Sequence, residues 1–317
     1  MRTSDPPPPH TGSERAAPAV RRLSELVQAA SRTSGVLLEN AQTRVRAAGA
    51  DAPELSALVL LEHATGLSRE QLLTHEDLSV PYQVAVRYDE SVERRCLREP
   101  LAYIVGYREF FGRDFRVTPA TLIPRPETEG LVELAMAHYF HERASLLYPV
   151  LLDVGTGSGA LAVTLLAEIP TLQAIATDTD PAALLIADEN GHRHSVRDRL
   201  QLVASDLAHA VDSAVDLVVA NLPYVPTGDL AQLDPEVRDY EPRRALDGGV
   251  NGTTQILRLL ADLPRLLRPA GVAWLEIGEG QGSGLAVWTA RSCPGWDVGV
   301  RSDLTGTERY LMVARPP

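Results

Sequence analysis

Short apolar runs alternating with helical patterns dominate the chain from Val150 onward. The runs fall near 150–154, 173–178, 200–204, 215–220, 271–277, 296–301 and 308–314. Runs of this length and composition read as buried strands. Strands that alternate with helices imply a parallel sheet covered by helices on both faces. The fold class is therefore α/β with seven strands, and residues 131–317 form its domain.

Upstream the pattern changes. Over residues 34–107, Val36, Leu37, Ala41, Val45 and Ala48 recur at helical spacing, and Gly49 is a stop signal. Asp51 is expected to cap a second helix carrying Leu55, Leu58, Val59, Leu60 and Leu61. Ser68 with Gln71 spells a capping box, and a longer amphipathic helix follows Pro81 toward Arg98. This is a small helical bundle without groups at catalytic spacing. Residues 108–130 are expected to be a hairpin and an interdomain connector. Phe110, Phe111, Phe115 and Val117 flank Gly112-Arg113-Asp114, and Ile123-Pro124-Arg125-Pro126-Glu127-Thr128-Glu129 opens a helix with acidic residues in its first turn. Residues 1–20, rich in Pro, Ser and charge, are expected to be a disordered tail.

The formal net charge of -12 argues against a chain whose main task is gripping nucleic acid, because phosphate neutralisation needs clustered Lys and Arg. Cys96 and Cys293 have no metal-ligand spacing and read as free thiols of a reducing cytoplasm. No metal site is expected. No apolar run approaches membrane-spanning length, and the first residues carry no apolar segment of a secretory signal.

Two loops carry the chemistry. The first strand runs through Asp153 into Gly155-Thr156-Gly157-Ser158-Gly159. Glycines there allow a sharp turn and close approach of a ligand to the backbone. Gly155-x-Gly157-x-x-Ala160 with Asp178 downstream also fits a dinucleotide fingerprint. Asp153 inside the strand end and the third glycine, Gly159, instead give acid-x-Gly-x-Gly-x-Gly, which resembles the S-adenosylmethionine methyltransferases. In that Rossmann-like frame Asp153 serves the cationic end of S-adenosyl-L-methionine or holds the loop. Asp178 accepts from the ribose, Asp206 accepts from the adenine amine, and Leu207 gives an apolar wall. The cofactor set is thus Asp153, Gly155, Thr156, Gly157, Ser158, Gly159, Asp178, Asp206, Leu207 and Asn221.

The second loop is Asn221-Leu222-Pro223-Tyr224, after the strand at 215–220. An amide or aromatic amine nitrogen is a poor nucleophile because its lone pair is delocalised. Two acceptors for its N–H hydrogens favour pyramidal nitrogen and free that lone pair. Asn221 offers its side-chain carbonyl. Leu222 offers its backbone carbonyl, held by the rigid Pro223. Tyr224 can stack on the planar group.

With these loops, several further stretches resemble the glutamine methyltransferases that modify peptide chain release factors. They are Arg98–Gly106, Arg108–Phe110, Leu122–Glu129, Tyr240–Gly249 and Leu275-Glu276-Ile277-Gly278, and the resemblance covers residues 34–315 in order. It implies methylation of the glutamine of the Gly-Gly-Gln motif in class I release factors, with the helical domain helping to dock that protein and no direct contact with nucleic acid or membrane. One departure stands out. The family pattern is usually Asn-Pro-Pro-Tyr, and Leu222 replaces the first proline. Asn-Leu-Pro-Tyr also resembles the ribosomal RNA adenine dimethyltransferases, which makes a nucleic-acid adenine N6-methyltransferase the alternative.

Overall fold

The computed structural model describes residues 32–143 and 147–317. The expected tail over residues 1–20 lies outside the described residues. Two compact units divide between Val105 and Gly106.

The first unit contains the helices Ser34–Ala47, Pro53–Thr65, Arg69–Thr74, Tyr82–Cys96 and Leu101–Val105, with a two-residue strand pair, β1 (Arg32–Thr33) and β2 (Ser79–Val80). Leu37, Val45, Leu60, Leu61, Tyr88 and Val92 are buried together. The capping box forms as read: the Ser68 side chain accepts from Gln71 N, and Gln71 Oε1 accepts from Ser68 N. Asp51 does not cap the second helix. Ala52 holds that position at φ 43, with Pro53 opening the helix. Asp51 instead pairs with Arg95, whose side chain is only 2% exposed. A buried guanidinium must be matched by acceptors, and that demand outweighs a cap.

The second unit begins with a hairpin of β3 (Tyr107–Phe110) and β4 (Arg113–Arg116). Its turn is Phe111-Gly112, both at positive φ, one residue earlier than the Gly112-Arg113-Asp114 reading. This stretch is no free-standing connector. Phe110 and Phe115 meet edge-to-face at 5.9 Å and lie in the same core cluster as Leu131 and Leu161.

Seven strands follow: β5 (Val150–Val154), β6 (Gln173–Asp178), β7 (Leu200–Ala204), β8 (Val215–Asn221), β9 (Leu267–Glu276), β10 (Asp297–Ser302) and β11 (Glu308–Ala314). Their order is β10-β11-β9-β8-β5-β6-β7. The strands β5 to β9 pair in parallel, but β11 runs antiparallel between β9 and β10, so the sheet is not wholly parallel. The connection from β10 to β11 is a tight turn at Asp303–Thr307, too short for a crossover helix, so only antiparallel pairing is open to it.

Both faces of this sheet are buried, as continuous apolar strands require. Along β8 the side chains alternate between two cores. Leu217 and Val219 face one, while Val218, Ala220 and Leu222 face the other. The same alternation sends Asn221 to the Val219 side and Leu222 to the opposite side. Strand parity alone therefore gives these neighbours different surroundings.

Candidate active site

A cavity of about 240 Å³ opens at the carboxyl ends of the central strands. It lies where the chain leaves β5 for β6 on one side and β8 on the other, the switch point of an open α/β sheet. Gly155, Thr156, Gly157 and Ser158 line it, as do Asp178, Asp206 and Leu207. Asn221, Leu222 and Pro223 line it from the other side. Asp153, Gly159 and Tyr224 do not line it.

The glycine loop is shaped by left-handed backbone. Gly155 and Gly159 have φ values of 75° and 81°, where a side chain is strained. Gly155 has a second constraint, since a Cβ there would lie 3.0 Å from Leu222 Cδ2. Gly155 N and Thr156 N both donate to the Thr177 carbonyl, at 2.9 and 2.8 Å, which ties the loop to β6.

Asp153 holds the loop from within. Its Oδ2 accepts from Thr156 Oγ1 at 2.6 Å and from Ala162 N at 3.2 Å. Its Oδ1 is buried without a hydrogen-bond partner among the described residues. Burial pushes its carboxyl up to about 7, against the pull of the two donors. The folded protein then keeps this proton between about pH 4 and 7, where the unfolded chain has lost it. Its contribution to stability is greatest below about pH 4 and is lost as the pH rises through 7. Asp153→Asn should therefore show a smaller fall in melting temperature than the wild type between about pH 5 and pH 8, the difference equivalent to about 1–3 kcal/mol. Identical slopes in thermal melts would mean that Asp153 is already ionised in the fold.

Asp178, at the end of β6, is half-buried and organises the facing rim. Its Oδ2 accepts from Gly157 N and its Oδ1 from Asp180 N, each at 2.9 Å. Asp180 in turn pairs with Arg244, which also donates to the Ala120 carbonyl at 3.1 Å. Asp206 is exposed, and both of its oxygens accept from Arg258, at 3.1 and 2.7 Å. Leu207 beside it is buried at a φ of 49°. Such backbone costs a non-glycine residue about 1–2 kcal/mol.

Around Asn221 a hydrogen-bond chain fixes direction. Asn221 Nδ2 donates to Thr128 Oγ1 at 2.9 Å, and Thr128 Oγ1 donates to Glu276 Oε2 at 2.6 Å. Tyr224 OH donates to the other Glu276 oxygen at 3.2 Å. Burial pushes the Glu276 carboxyl upward, opposed by the Thr128 and Tyr224 donors. The Tyr224 phenol is likewise pushed up, by burial first and then by the Glu276 charge, so it is a neutral hydroxyl. Gln281 Nε2 donates to the Tyr224 carbonyl at 3.0 Å, and Val225 N donates to the Leu246 carbonyl at 3.0 Å. The Asn221–Tyr224 loop is thus braced by the segment after residue 240.

Thr128, Glu276, Arg244, Arg258 and Glu241 were not singled out by sequence reasoning. Glu241 is buried, accepting from Ile123 N at 3.2 Å and pairing with Arg125 at 2.5 Å. All but Arg258 lie in the motifs that carry the family resemblance, yet no local pattern gives them a role. Their partners are distant in sequence.

These residues fit S-adenosylmethionine. Asp178 brings to the cavity wall a carboxylate that can accept from ribose hydroxyls. The backbone is bare at Gly155, which lines the cavity where a ligand must come close. Glycine loop, acid-ended second strand and Asn-Leu-Pro-Tyr after β8, on a seven-stranded sheet with β11 antiparallel, define an S-adenosylmethionine-dependent methyltransferase.

Residues 36–106 match the family model of the PrmC N-terminal domain, and residues 136–233 match that of ribosomal protein L11 methyltransferase (PrmA). A release factor glutamine methyltransferase of Nitratidesulfovibrio vulgaris is 41% identical over 282 residues, covering 88% of this chain and 94% of that protein. One of Cereibacter sphaeroides is 42% identical over 280 residues, covering 88% and 97%. One of Deinococcus radiodurans is 37% identical over 279 residues, covering 88% and 97%. The chain belongs to the release factor glutamine methyltransferase family.

Asp178→Ala should weaken binding of S-adenosylhomocysteine by about 1–3 kcal/mol in calorimetry, through lost charged hydrogen bonds. The loop contact to Gly157 N goes with it, so the effect combines both. Binding of NAD with none of S-adenosylhomocysteine by the wild type would overturn the cofactor assignment. Among the described residues no helix is long and apolar enough to cross a membrane.

Proposed function

We propose that this enzyme methylates the side-chain amide nitrogen of the glutamine in the Gly-Gly-Gln motif of class I peptide chain release factors. The observation that carries the reading is the orientation of Asn221. Its Nδ2 is committed to Thr128, so its Oδ1 is the atom left to accept from a substrate. A primary amide has two N–H hydrogens, and two acceptors meet them here: Asn221 Oδ1 and the Leu222 backbone carbonyl. Holding both hydrogens favours pyramidal nitrogen and aims its lone pair. When bound, S-adenosylmethionine supplies an electrophilic methyl carbon on a cationic sulfur. The chain needs no strong base, because the methylated nitrogen is acidic and loses its proton readily. Tyr224, neutral and anchored through its hydroxyl, can offer its ring face to the planar group. The helical unit matches the N-terminal domain model of the family, and none of its described residues lines the cavity, which supports a docking role.

Methyl-labelled S-adenosylmethionine, offered with a release factor or with RNA, tests the reading. Label on the release factor glutamine is the expected result. Label on RNA adenine with none on the release factor would replace the proposal by nucleic-acid adenine N6-methylation. Label on neither would leave a binding module.

A further inference from the structure

We infer that Thr128 and Glu276 are positioning residues: the buried Glu276 carboxylate, acting through the Thr128 hydroxyl, decides which end of the Asn221 amide faces the substrate. The inference rests on the proposed role of Asn221 as an acceptor.

The sheet register brings the groups together. Asn221 on β8 lies opposite Glu276 on β9, and Glu276 lies opposite Tyr310 on β11. All three are on the face shared with Val219 and Trp274, by strand parity. Thr128 reaches this row because the turn Pro126–Thr128 is held down on the sheet. Tyr310 OH donates to the Glu127 carbonyl at 2.6 Å. Gly130 permits the approach, since a Cβ there would lie 2.2 Å from the Tyr310 hydroxyl.

Direction then passes along the chain of donors. In its ionised form, which the Thr128 and Tyr224 donors and the Arg309 charge favour against burial, a carboxyl only accepts. Glu276, 1% exposed, takes the Thr128 hydroxyl proton on Oε2 and the Tyr224 hydroxyl proton on Oε1. A threonine hydroxyl has one proton, and Thr128 has spent it, so toward Asn221 it presents a lone pair. Asn221 must therefore answer with Nδ2, and Oδ1 is turned the other way. The two ends of an amide have nearly the same shape. Without this chain, a half-turn would set an NH₂ group against the N–H hydrogens of the substrate, donor against donor. One carboxylate thus orients both Asn221 and Tyr224.

The test uses the full-length protein and the substrate that the wild type labels. Thr128→Val keeps the shape and removes the hydroxyl. Thr128→Ser keeps the hydroxyl. Thr128→Val should lower kcat by about 30-fold, with the KM for the protein substrate and the affinity for S-adenosylhomocysteine within about threefold. Thr128→Ser should recover most of the lost kcat. Wild-type turnover in Thr128→Val, or equal loss in a Thr128→Ser that still binds S-adenosylhomocysteine, would overturn the inference. Should Thr128→Val fail to fold, Glu276→Gln decides. It is isosteric but can donate to Thr128, so kcat should fall about tenfold with cofactor affinity held, and unchanged kcat would overturn the inference. A wild type that labels no glutamine would count against the proposed function instead, because the ratio of variant to wild type is read on whatever substrate is methylated.

Discussion

Asn221→Ala is expected to lower turnover on a release factor by about 100-fold or more, while S-adenosylhomocysteine affinity changes by less than about threefold. The size follows from what is removed. Asn221 Oδ1 is an acceptor aimed at a nitrogen whose lone pair must be freed in the transition state, and such preorganised contacts are each worth about 2.7–4 kcal/mol. The stability cost should be small by comparison. Asn221 is half-buried, and Thr128 keeps its bond to Glu276 when the amide is gone. Steady-state kinetics with calorimetry on the same preparation separates the two effects. Equal losses in turnover and cofactor affinity would place Asn221 in cofactor binding and not in substrate orientation.

Leu222→Ala is expected to behave in the opposite way. It should destabilise the fold by about 2–4 kcal/mol and keep turnover within about tenfold of wild type below the melting transition. Read from sequence, the side chain at this position looked expendable, because only its backbone carbonyl is asked to act. In the fold Leu222 is 4% exposed and belongs to the core cluster with Val218, Ala220 and Ile256. It also fills the space beside Gly155, at the foot of the glycine loop. Truncation leaves a cavity there, and the neighbours can only partly collapse into it. Leu222→Pro should lose less stability than Leu222→Ala, because the ring retains part of the volume and stiffens the unfolded chain. Urea denaturation of the three proteins, with turnover at one temperature, checks this. A folded Leu222→Ala as slow as Asn221→Ala would mean that the leucine side chain touches the substrate, and the carbonyl account would fall.

Much of this protein was legible in its sequence because the signals are local. Strand and helix follow from the spacing of apolar residues, and the seven runs map onto β5 to β11. The glycine loop is legible because its backbone needs residues without a Cβ, and Ser68 caps its helix through a residue three positions away. Asp178 and Asn221 could be picked out because each ends a strand, and Asp153 because it lies one residue before a strand end, all next to loops of unusual composition.

Tertiary structure decided what depends on partners far apart in the chain. Asp51 was drawn from its expected cap by Arg95, and Asp206 was taken up by Arg258. The antiparallel place of β11 follows from the shortness of one turn and the register of its neighbours. Thr128, Asn221 and Glu276 lie in three separate motifs, and only the pairing of β8 with β9 and the seating of the Pro126–Thr128 turn join them. For Arg95 and for the Thr128–Glu276 pair the physical reason is burial. A buried charge or hydroxyl must find a partner when water is excluded, and the nearest one in space is set by sheet register and not by sequence distance.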